Sequence, residues 1–313
     1  MQNNTHFKML RIRMVEEEIA RRYPEGKMRC PVHLSIGQEA AAVGICEPLN
    51  NLDLMVSTHR GHAHMMAKGG SLKSLIAELY GKITGCGRGQ AGSMHLIDVA
   101  CGFMGSTSIV AGTVPVGVGM AKAKQRKKQE GITVICIGDA VVEEGVFHES
   151  ANLASINNLP VVFVLENNFY SCFTHIDERQ PVQRSFEDIA KAHGLLFRAV
   201  DGNNVDYVSH AMADLKEMGK PSLLVLETYR HLEHCGPNND DHLNYRDKEE
   251  IAIWKTHDPI LKISAPEHWI KEIKEEIAEA FKFAEESPFP GISELGAHTY
   301  AHPNNDRSFQ TRT

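Results

Sequence analysis

Two short apolar runs constrain the fold of this chain more than any other feature of its sequence. TVICIG follows Ile132, LPVVFVLE follows Asn158, and the segment between them reads as a helix. Short runs rich in Val and Ile, joined through a helix, are typical of parallel strands buried on both faces. Strands predicted over 196–200 and 222–230 and helices predicted over 185–193 and 204–218 continue the alternation. The sequence therefore predicts an α/β fold, a three-layer, doubly wound parallel sheet.

Apolar spacing predicts further helices outside this alternation. They cover 5–22, 37–48, 71–82 and 114–128, and a charged helix over 266–287 carries a docking stripe of Trp269, Ile273, Ile277 and Phe281. The stretch 85–112 is dominated by Gly, Ser and Thr, which is typical of a long functional loop. We expect one domain over 1–260, followed over 261–313 by a helical extension whose polar tail begins at 291.

Composition excludes several classes of function. A net charge of -7 with scattered Lys and Arg argues against nucleic acid or an anionic membrane as the main partner. No window approaches the roughly 20 apolar residues of a membrane span. The seven cysteines form no CxxC pair, which is typical of reduced thiols and predicts a cytoplasmic protein. The chain has 17 histidines, but neither HExxH nor the spacing of His59, His62 and His64 favours a histidine metal site.

Polar residues follow both apolar runs, where ligands collect at the carboxyl edge of a parallel sheet. The first run ends at Gly138-Asp139-Ala140, and the second is followed by Asn167-Asn168-Phe169-Tyr170. An Asp carboxylate, an Asn amide oxygen and a backbone carbonyl suit Mg²⁺, leaving positions for two diphosphate oxygens. A helix predicted to begin near Val142 would point its N-terminus at the same anion.

The run GDAVVEEGVFHESANLASINNLPVVFVLENNFYS resembles the thiamine diphosphate signature of the alpha subunits of 2-oxo acid and acetoin dehydrogenases. HLSIGQEAAAVG, STHRGHAHMMAKGG, AELYGKITGCGRGQAGSMH, IVAGTVPVGVGMA and ETYRHLEH resemble further blocks of that family, in the family's order. The resemblance covers all but about the last fifty residues. It implies a thiamine diphosphate-binding fold and Mg²⁺ as the accompanying metal.

Roles follow from this resemblance residue by residue. Asp139, Asn168 and the carbonyl of Tyr170 match the Mg²⁺ ligands, and His62 and His234 match catalytic histidines. The cofactor-binding positions are Arg60, Ser108, Val110, Gly138, Asp139, Ala140, Val141, Asn168 and Arg230. The two arginines would bind the diphosphate, and Ser108 and Val110 would bind the aminopyrimidine through their backbone. No role is assigned to His64, His95, His148 or His231.

Three departures from the family pattern bear on function. Ala140 replaces a glycine, which adds one methyl group and leaves the amide free to donate. Glu143 and Glu144 place negative charge where the family often has Asn. The loop 233–238 reads EHCGPN where the family has Gly-His-Ser-x-x-Asp, so the substrate stays open.

The resemblance also implies a partner, because the family's cofactor-activating glutamate belongs to a separate beta subunit carrying the pyrimidine domain. We expect two alpha and two beta chains, packed through the small-residue helices GQEAAAVG and VPVGVGMA. The expected reaction cleaves the bond next to the carbonyl of a 2-oxo acid or acetoin and passes the acyl unit to lipoamide on a lipoyl acyltransferase. The altered loop keeps open a carboligase that transfers a two-carbon unit to an aldehyde or keto sugar. A non-catalytic homologue is a third hypothesis, which the retained motif residues disfavour.

Overall fold

A computed structural model describes residues 5–294 and residue 297. Most of the polar tail predicted from 291 onward lies outside the described residues. Two strand sets occur within them. The main sheet contains β1 (Leu54–Ser57), β2 (Phe103–Ser106), β3 (Thr133–Gly138), β4 (Val161–Asn167), β7 (Leu196–Asp201) and β8 (Ser222–Glu227). Its spatial order is β2-β1-β3-β4-β8-β7, and every adjacent pair is parallel. The predicted parallel sheet is confirmed.

A small antiparallel hairpin and eleven α-helices complete the described part of the chain. The hairpin pairs β5 (Tyr170–Ser171) with β6 (Thr174–His175). The helices are α1 (Thr5–Arg22), α2 (Glu39–Cys46), α3 (His62–Ala67), α4 (Leu72–Leu79), α5 (Thr113–Lys127), α6 (Gly145–Ile156), α7 (Ile176–Arg179), α8 (Phe186–Ala192), α9 (Val205–Met218), α10 (Lys248–Thr256) and α11 (Glu267–Glu286).

Helices cover both faces of the sheet, because successive strand residues point in opposite directions. Val134 and Cys136 of β3 pack into one core with α1, α2, α3, α4, α9 and α11. Ile135 and Ile137 pack into the other core with α5, α6 and α8. All four side chains are at most 1% exposed, and burying a large aliphatic side chain contributes roughly 1.5–3 kcal/mol. The two cores explain why the strand runs are continuously apolar.

The predicted C-terminal helix docks on the N-terminal helices. Three of its stripe residues are buried in the same core as α1 and α4: Ile273, Ile277 and Phe281. The fourth, Trp269, meets Phe7 edge-on with 5.6 Å between ring centroids. The domain boundary near 260 stays a prediction. No helix in the described ranges is long and apolar enough to cross a membrane.

Some local predictions were wrong. The stretch 85–112 is not irregular throughout, since it contains the edge strand β2, whose Gly105 gives it no clear apolar alternation. No helix was predicted between 230 and 266, yet α10 lies there and buries Ile251 as its one core residue. A 3₁₀ helix, Asp139–Glu143, follows β3, and α6 begins at Gly145, so the first helical turn at the strand end is 3₁₀ rather than α.

The small residues of α2 serve this chain's own packing, which corrects one predicted assembly surface. Every residue of α2 is buried, and a Cβ on Gly44 would lie 2.6 Å from Val208 Cβ in α9. By contrast, α5 packs on the sheet through Gly117 and leaves Val116 50% exposed. A Cβ on Gly119 would meet nothing within 4 Å. Of the two predicted surfaces, it is the α5 surface that the described residues leave exposed to a partner.

Candidate active site

One cavity lies beyond the carboxyl ends of the central strands. The chain passes from β1 to a neighbour on one side and returns to β3 on the other, which makes β1 and β3 a topological switch point. The cavity encloses about 710 Å³ of empty space, its open mouth included. Residues that follow four strands line it: Thr58, His59 and Arg60 after β1; Thr107, Ile109 and Val110 after β2; Asp139, Ala140 and Val141 after β3; Asn168, Tyr170 and Ser171 after β4.

The three residues predicted to hold a metal all line this cavity. Asp139 is 3% exposed, and burial raises the pKa of its carboxyl while the Arg179 guanidinium opposes that shift. The backbone turns at Phe169, whose φ of +67° is in the left-handed region, an uncommon conformation for a bulky residue. The Asn168 amide oxygen accepts a hydrogen bond from the Tyr170 amide at 3.1 Å. The turn therefore brings two oxygen-bearing residues to the Asp139 side of the cavity.

The Asp139 carboxylate already forms an ion pair with a positively charged side chain of the same chain. Arg179, the last residue of α7, donates hydrogen bonds to Asp139 and Glu143. Gln180 adds a 2.9 Å bond to Glu143 Oε1 and a 3.2 Å bond to the carbonyl of Asp139. The extra negative charge of Glu143, a departure from the family pattern, is thus neutralised within the protein. Nothing in the sequence analysis singled out Arg179.

Arg60 brings a buried positive charge to the cavity. Its guanidinium donates to the carbonyls of Leu34, at 2.6 Å, and His234, at 3.1 Å. Among the described residues no carboxylate lies within salt-bridge distance of it. Burial, together with the charge of Arg230, lowers the pKa of Arg60 to about 9. A buried guanidinium with carbonyl partners alone is unfavourable without an anion, so the cavity favours a negatively charged ligand.

Three histidine rings meet at the edge of the cavity. The ring centroids of His33 and His59 are 4.6 Å apart, and each lies 5.1 or 5.2 Å from that of His234. Burial and the Arg60 charge lower the pKa of His33 to about 2 and those of His59 and His234 to about 3. The rings are neutral near pH 7. His234 and His59 line the cavity, as predicted for the first and missed for the second.

His62 does not line the cavity. Its ring is 0% exposed. Nδ1 lies 3.1 Å from Glu16 Oε1, and Nε2 lies 2.7 Å from Ser93 Oγ. Both nitrogens are engaged in joining α1, α3 and the glycine-rich loop, so the catalytic role predicted for His62 gains no support from this geometry.

Ser108 and Arg230 are also absent from the cavity lining. Ser108 is exposed, and its amide and hydroxyl lie 3.4 and 3.3 Å from His95 Nε2. Arg230 is 2% exposed and donates to the carbonyls of Leu232, at 2.6 Å, and Cys172, at 3.1 Å. Arg230 thereby ties the loop after β8 to the β5–β6 hairpin, and the diphosphate contact predicted for it stays a prediction. The other predicted cofactor residues line the cavity: Arg60, Val110, Gly138, Asp139, Ala140, Val141 and Asn168.

A tight glycine turn holds two cavity walls together. Gly37 has a φ of +101°, and a Cβ there would lie 2.5 Å from the carbonyl oxygen of Tyr229. Gln38, the next residue, lines the cavity. Only glycine combines this backbone conformation with so close an approach. The glycine of the GQEA block thus lets residues 35–38 pack against the chain after β8.

Glu166, at the end of β4, is a cavity residue to which the sequence analysis assigned no role. It is 7% exposed, and its Oε1 lies 3.5 Å from His64 Nε2. Ser57 Oγ lies 2.8 Å from the other nitrogen of that ring. Burial opposes protonation of His64, but Cys136 and Glu166 outweigh it and raise the pKa of His64. The position of Glu166 directly before Asn167-Asn168 was the available signal.

Residues 7–293 match the model of the dehydrogenase E1 component family. The chain therefore belongs to this family of enzymes, which depend on thiamine diphosphate, and the resemblance drawn from the motifs is confirmed. Among curated relatives, the chain is 36% identical over 309 residues to the alpha subunit of acetoin:2,6-dichlorophenolindophenol oxidoreductase from Bacillus subtilis, covering 94% of this chain and 91% of the relative. It is 35% identical over 308 residues to the alpha subunit of the pyruvate dehydrogenase E1 component from Rickettsia bellii, covering 93% of each chain. The predicted identity as an E1 alpha subunit agrees with both.

Solved structures agree on the fold. A transketolase from Campylobacter jejuni superimposes with a TM-score of 0.60 at 16% identity, covering 90% of this chain and 48% of that one. A transketolase from Pichia stipitis gives a TM-score of 0.58 at 17% identity, covering 90% and 44%. Such low identity supports the shared fold alone. The carboligase alternative is therefore not better supported than the dehydrogenase.

Proposed function

We propose that this chain is the diphosphate-binding half of a thiamine diphosphate- and Mg²⁺-dependent dehydrogenase acting on a 2-oxo acid or acetoin. The observation that carries the proposal is the pairing of an oxygen-rich corner with a buried guanidinium in one cavity. Asp139 and Asn168 lie at the ends of adjacent strands, and Arg60 follows β1. A hard divalent cation suits the oxygens, and a diphosphate suits the guanidinium.

The residues present fit the cofactor's diphosphate and its metal. Gly138, at the end of β3, faces open space, since a Cβ there would meet nothing within 4 Å. The amides of Ala140 and Val141 begin a helical turn, where N–H groups are free to donate to an anion. Asp139, Asn168 and the carbonyl of Tyr170 would hold Mg²⁺. When bound, thiamine diphosphate supplies the carbon nucleophile that cleaves the bond next to a substrate carbonyl.

His234 is the histidine we assign to the substrate side. A neutral imidazole can donate from one nitrogen and accept at the other, so it can hold a proton at a substrate oxygen. An anion bound at Arg60 would offset the charge that, after burial, most lowers the pKa of His234. We therefore expect the proton affinity of His234 to rise when the site is loaded.

A beta subunit would complete the site. In this family, the carboxylate that the cofactor needs at its aminopyrimidine belongs to a separate beta subunit. The outer face of the α5–α6 layer offers an apolar surface, with Val116 50%, Leu153 49% and Ile156 74% exposed. Ile109 and Val110, at the cavity rim, are 69% and 43% exposed. Apolar exposure on this scale is typical of a protein contact, and its position at the rim supports a partner that covers the cofactor.

Calorimetry on the alpha chain co-purified with a beta chain tests the cofactor site. We expect thiamine diphosphate to bind only with Mg²⁺ present and Asp139→Asn to abolish this Mg²⁺-dependent binding. The matched control is Asp177→Asn, whose side chain is 75% exposed. Binding that is independent of both Mg²⁺ and Asp139 would overturn the assignment.

Turnover separates the candidate reactions and the histidine roles. The expected activity is reduction of 2,6-dichlorophenolindophenol, or acylation of lipoamide, with pyruvate or acetoin as the donor. Formation of a longer keto sugar without either activity would favour the carboligase and a different acceptor. His234→Gln should lower kcat with cofactor binding intact, whereas His62→Gln should lower thermal stability first.

The free thiols of all seven cysteines suit the cytoplasmic location that we propose.

A further inference from the structure

The three-histidine cluster of His33, His59 and His234 is not explained by cofactor binding. One candidate ligand atom from each ring lies within 4.8 Å of the other two. Within the described residues it is the one group of three or more His, Cys, Asp or Glu side chains with this geometry. The three come from separate segments, before α2, after β1 and after β8, so the sequence spacing gave no sign of it.

We propose that His33, His59 and His234 form a binding site for a borderline transition metal, Zn²⁺ above all, at the edge of the cofactor cavity. Imidazole nitrogen is a preferred ligand of Zn²⁺ and a poor ligand for Mg²⁺, which takes oxygen. Zinc sites that stay open use three protein ligands and leave the fourth position to water or substrate. The site is distinct from the oxygen ligands at Asp139.

His33 provides the second observation that points to a ligand. It is 6% exposed, and its Nδ1 has no hydrogen-bond partner. A buried ring nitrogen without a partner costs free energy unless something binds it. A metal that accepts the lone pair of Nδ1 would satisfy it.

The backbone around the cluster is already fixed, which lowers the cost of assembling the three ligands. Gly236 donates to the carbonyl of Val32 at 2.8 Å, and a β-bridge pairs His33 with Gly236. The Arg60 guanidinium bonds the carbonyls of Leu34 and His234 at once. Arg60 directly follows His59, so one side chain joins all three ligand segments.

Small ring rotations would close the site. Zn–N bonds of about 2.1 Å place tetrahedral ligand nitrogens about 3.4 Å apart, and the present spread is 4.8 Å at most. The rings are neutral near pH 7, which is the form that binds metal. The Arg60 charge repels a cation, so the affinity should be moderate, below that of a closed structural zinc site. Bound zinc would occupy the His234 nitrogen and inhibit any reaction that uses it.

Zinc binding to the purified full-length chain tests the proposal without reference to turnover. With Mg²⁺ in millimolar excess, competition with a chromophoric chelator should give one Zn²⁺ per chain. His33→Gln and His59→Gln should each weaken binding at least tenfold. His268→Gln, on the exposed face of α11, is the matched control and should bind as the parent does. Circular dichroism checks that each variant is folded.

Two further variants separate this site from its neighbours. Asp139→Asn should keep the zinc, since the Mg²⁺ ligands are not involved. Cys235→Ser should also keep it, although Cys235 adjoins His234 and is exposed. Co²⁺ in place of Zn²⁺ should give the strong visible absorption of a four-coordinate site, lost in His33→Gln. No saturable binding, or binding lost in Cys235→Ser and kept in His33→Gln, would overturn the proposal.

Discussion

The ion pair between Arg179 and Asp139 sets the affinity of the proposed Mg²⁺ site. Asp139 cannot give its carboxylate fully to a metal while the Arg179 guanidinium donates to it. Glu143, which shares the same guanidinium, adds a second negative charge beside the site. The protein's own cation therefore competes with Mg²⁺, and we predict that Arg179→Gln strengthens Mg²⁺-dependent cofactor binding.

The magnitude follows from the burial of the pair. The side chains of Arg179 and Asp139 are 11% and 4% exposed, so solvent screens the interaction little. A hydrogen bond between charged groups contributes a net of about 1.5–3 kcal/mol. Since about 1.4 kcal/mol corresponds to a factor of ten in affinity, removing the competitor should tighten binding roughly tenfold or more. Without Arg179, the carboxylates of Asp139 and Glu143 repel each other. Mg²⁺ relieves this repulsion, which also strengthens Mg²⁺ binding.

Isothermal titration of thiamine diphosphate at several Mg²⁺ concentrations measures the effect on the alpha–beta pair. Arg184→Gln is the control, since Arg184 is exposed in the same segment. The half-saturating Mg²⁺ concentration should fall for Arg179→Gln and stay constant for the control. Weaker binding in Arg179→Gln would refute the reasoning, because it would mean that Arg179 moves onto the diphosphate and helps to hold it. An unchanged affinity would equally refute competition.

Three other predictions concern packing, pH and assembly. Gly37→Ala should destabilise the chain by several kcal/mol, because it adds a clash with backbone to the strained φ. Gly26→Ala, at φ +69° with open space around it, should reduce stability only through backbone strain. Thermal unfolding of the two variants measures the difference. Burial opposes ionisation of Asp53, but hydrogen bonds from Lys216 and two backbone amides outweigh it and lower its pKa. The ionised Asp53 therefore stabilises the fold fully above its unfolded pKa of about 3.9, and this stabilisation is lost as the pH falls through the lower folded pKa. In urea denaturation, the free energy of unfolding should therefore fall less on acidification in Asp53→Asn than in the parent. Val116→Arg should block co-purification of a beta chain while circular dichroism of the alpha chain stays unchanged.

The site residues at the strand ends could be predicted because the central strands are recognisable from the local pattern of apolar residues. Continuous Val and Ile runs identify β3 and β4, and parallel pairing then forces Asp139 and Asn168 to the same edge. The shorter strand β1, with four residues, and the edge strand β2 carry too few apolar positions for such a pattern. Half of the cavity wall was therefore found only through family motifs or through the structure itself.

Side chains in the loops could not be placed in the same way, because contacts distant in sequence fix them. His59 and His62 lie in one motif, yet the first lines the cavity and the second is held by Glu16 of α1. His33 joins the cluster through a bridge to Gly236, far along the chain. No spacing rule predicts these pairings. For Arg179, α7 is too short and polar to carry any periodic signal.

One buried charge accounts for several properties of the cavity. If the three clustered histidines were protonated, they and Arg60 would put four positive charges within one partly enclosed space. Without a bound anion, their mutual repulsion and desolvation would destabilise the fold. Burial and the Arg60 charge instead keep all three rings neutral. The cavity thus keeps a single strong anion-binding charge among its histidines, together with three nitrogen lone pairs. The same corner of the fold can therefore bind a diphosphate at Arg60 and a borderline metal such as Zn²⁺, or a substrate oxygen, at the histidines.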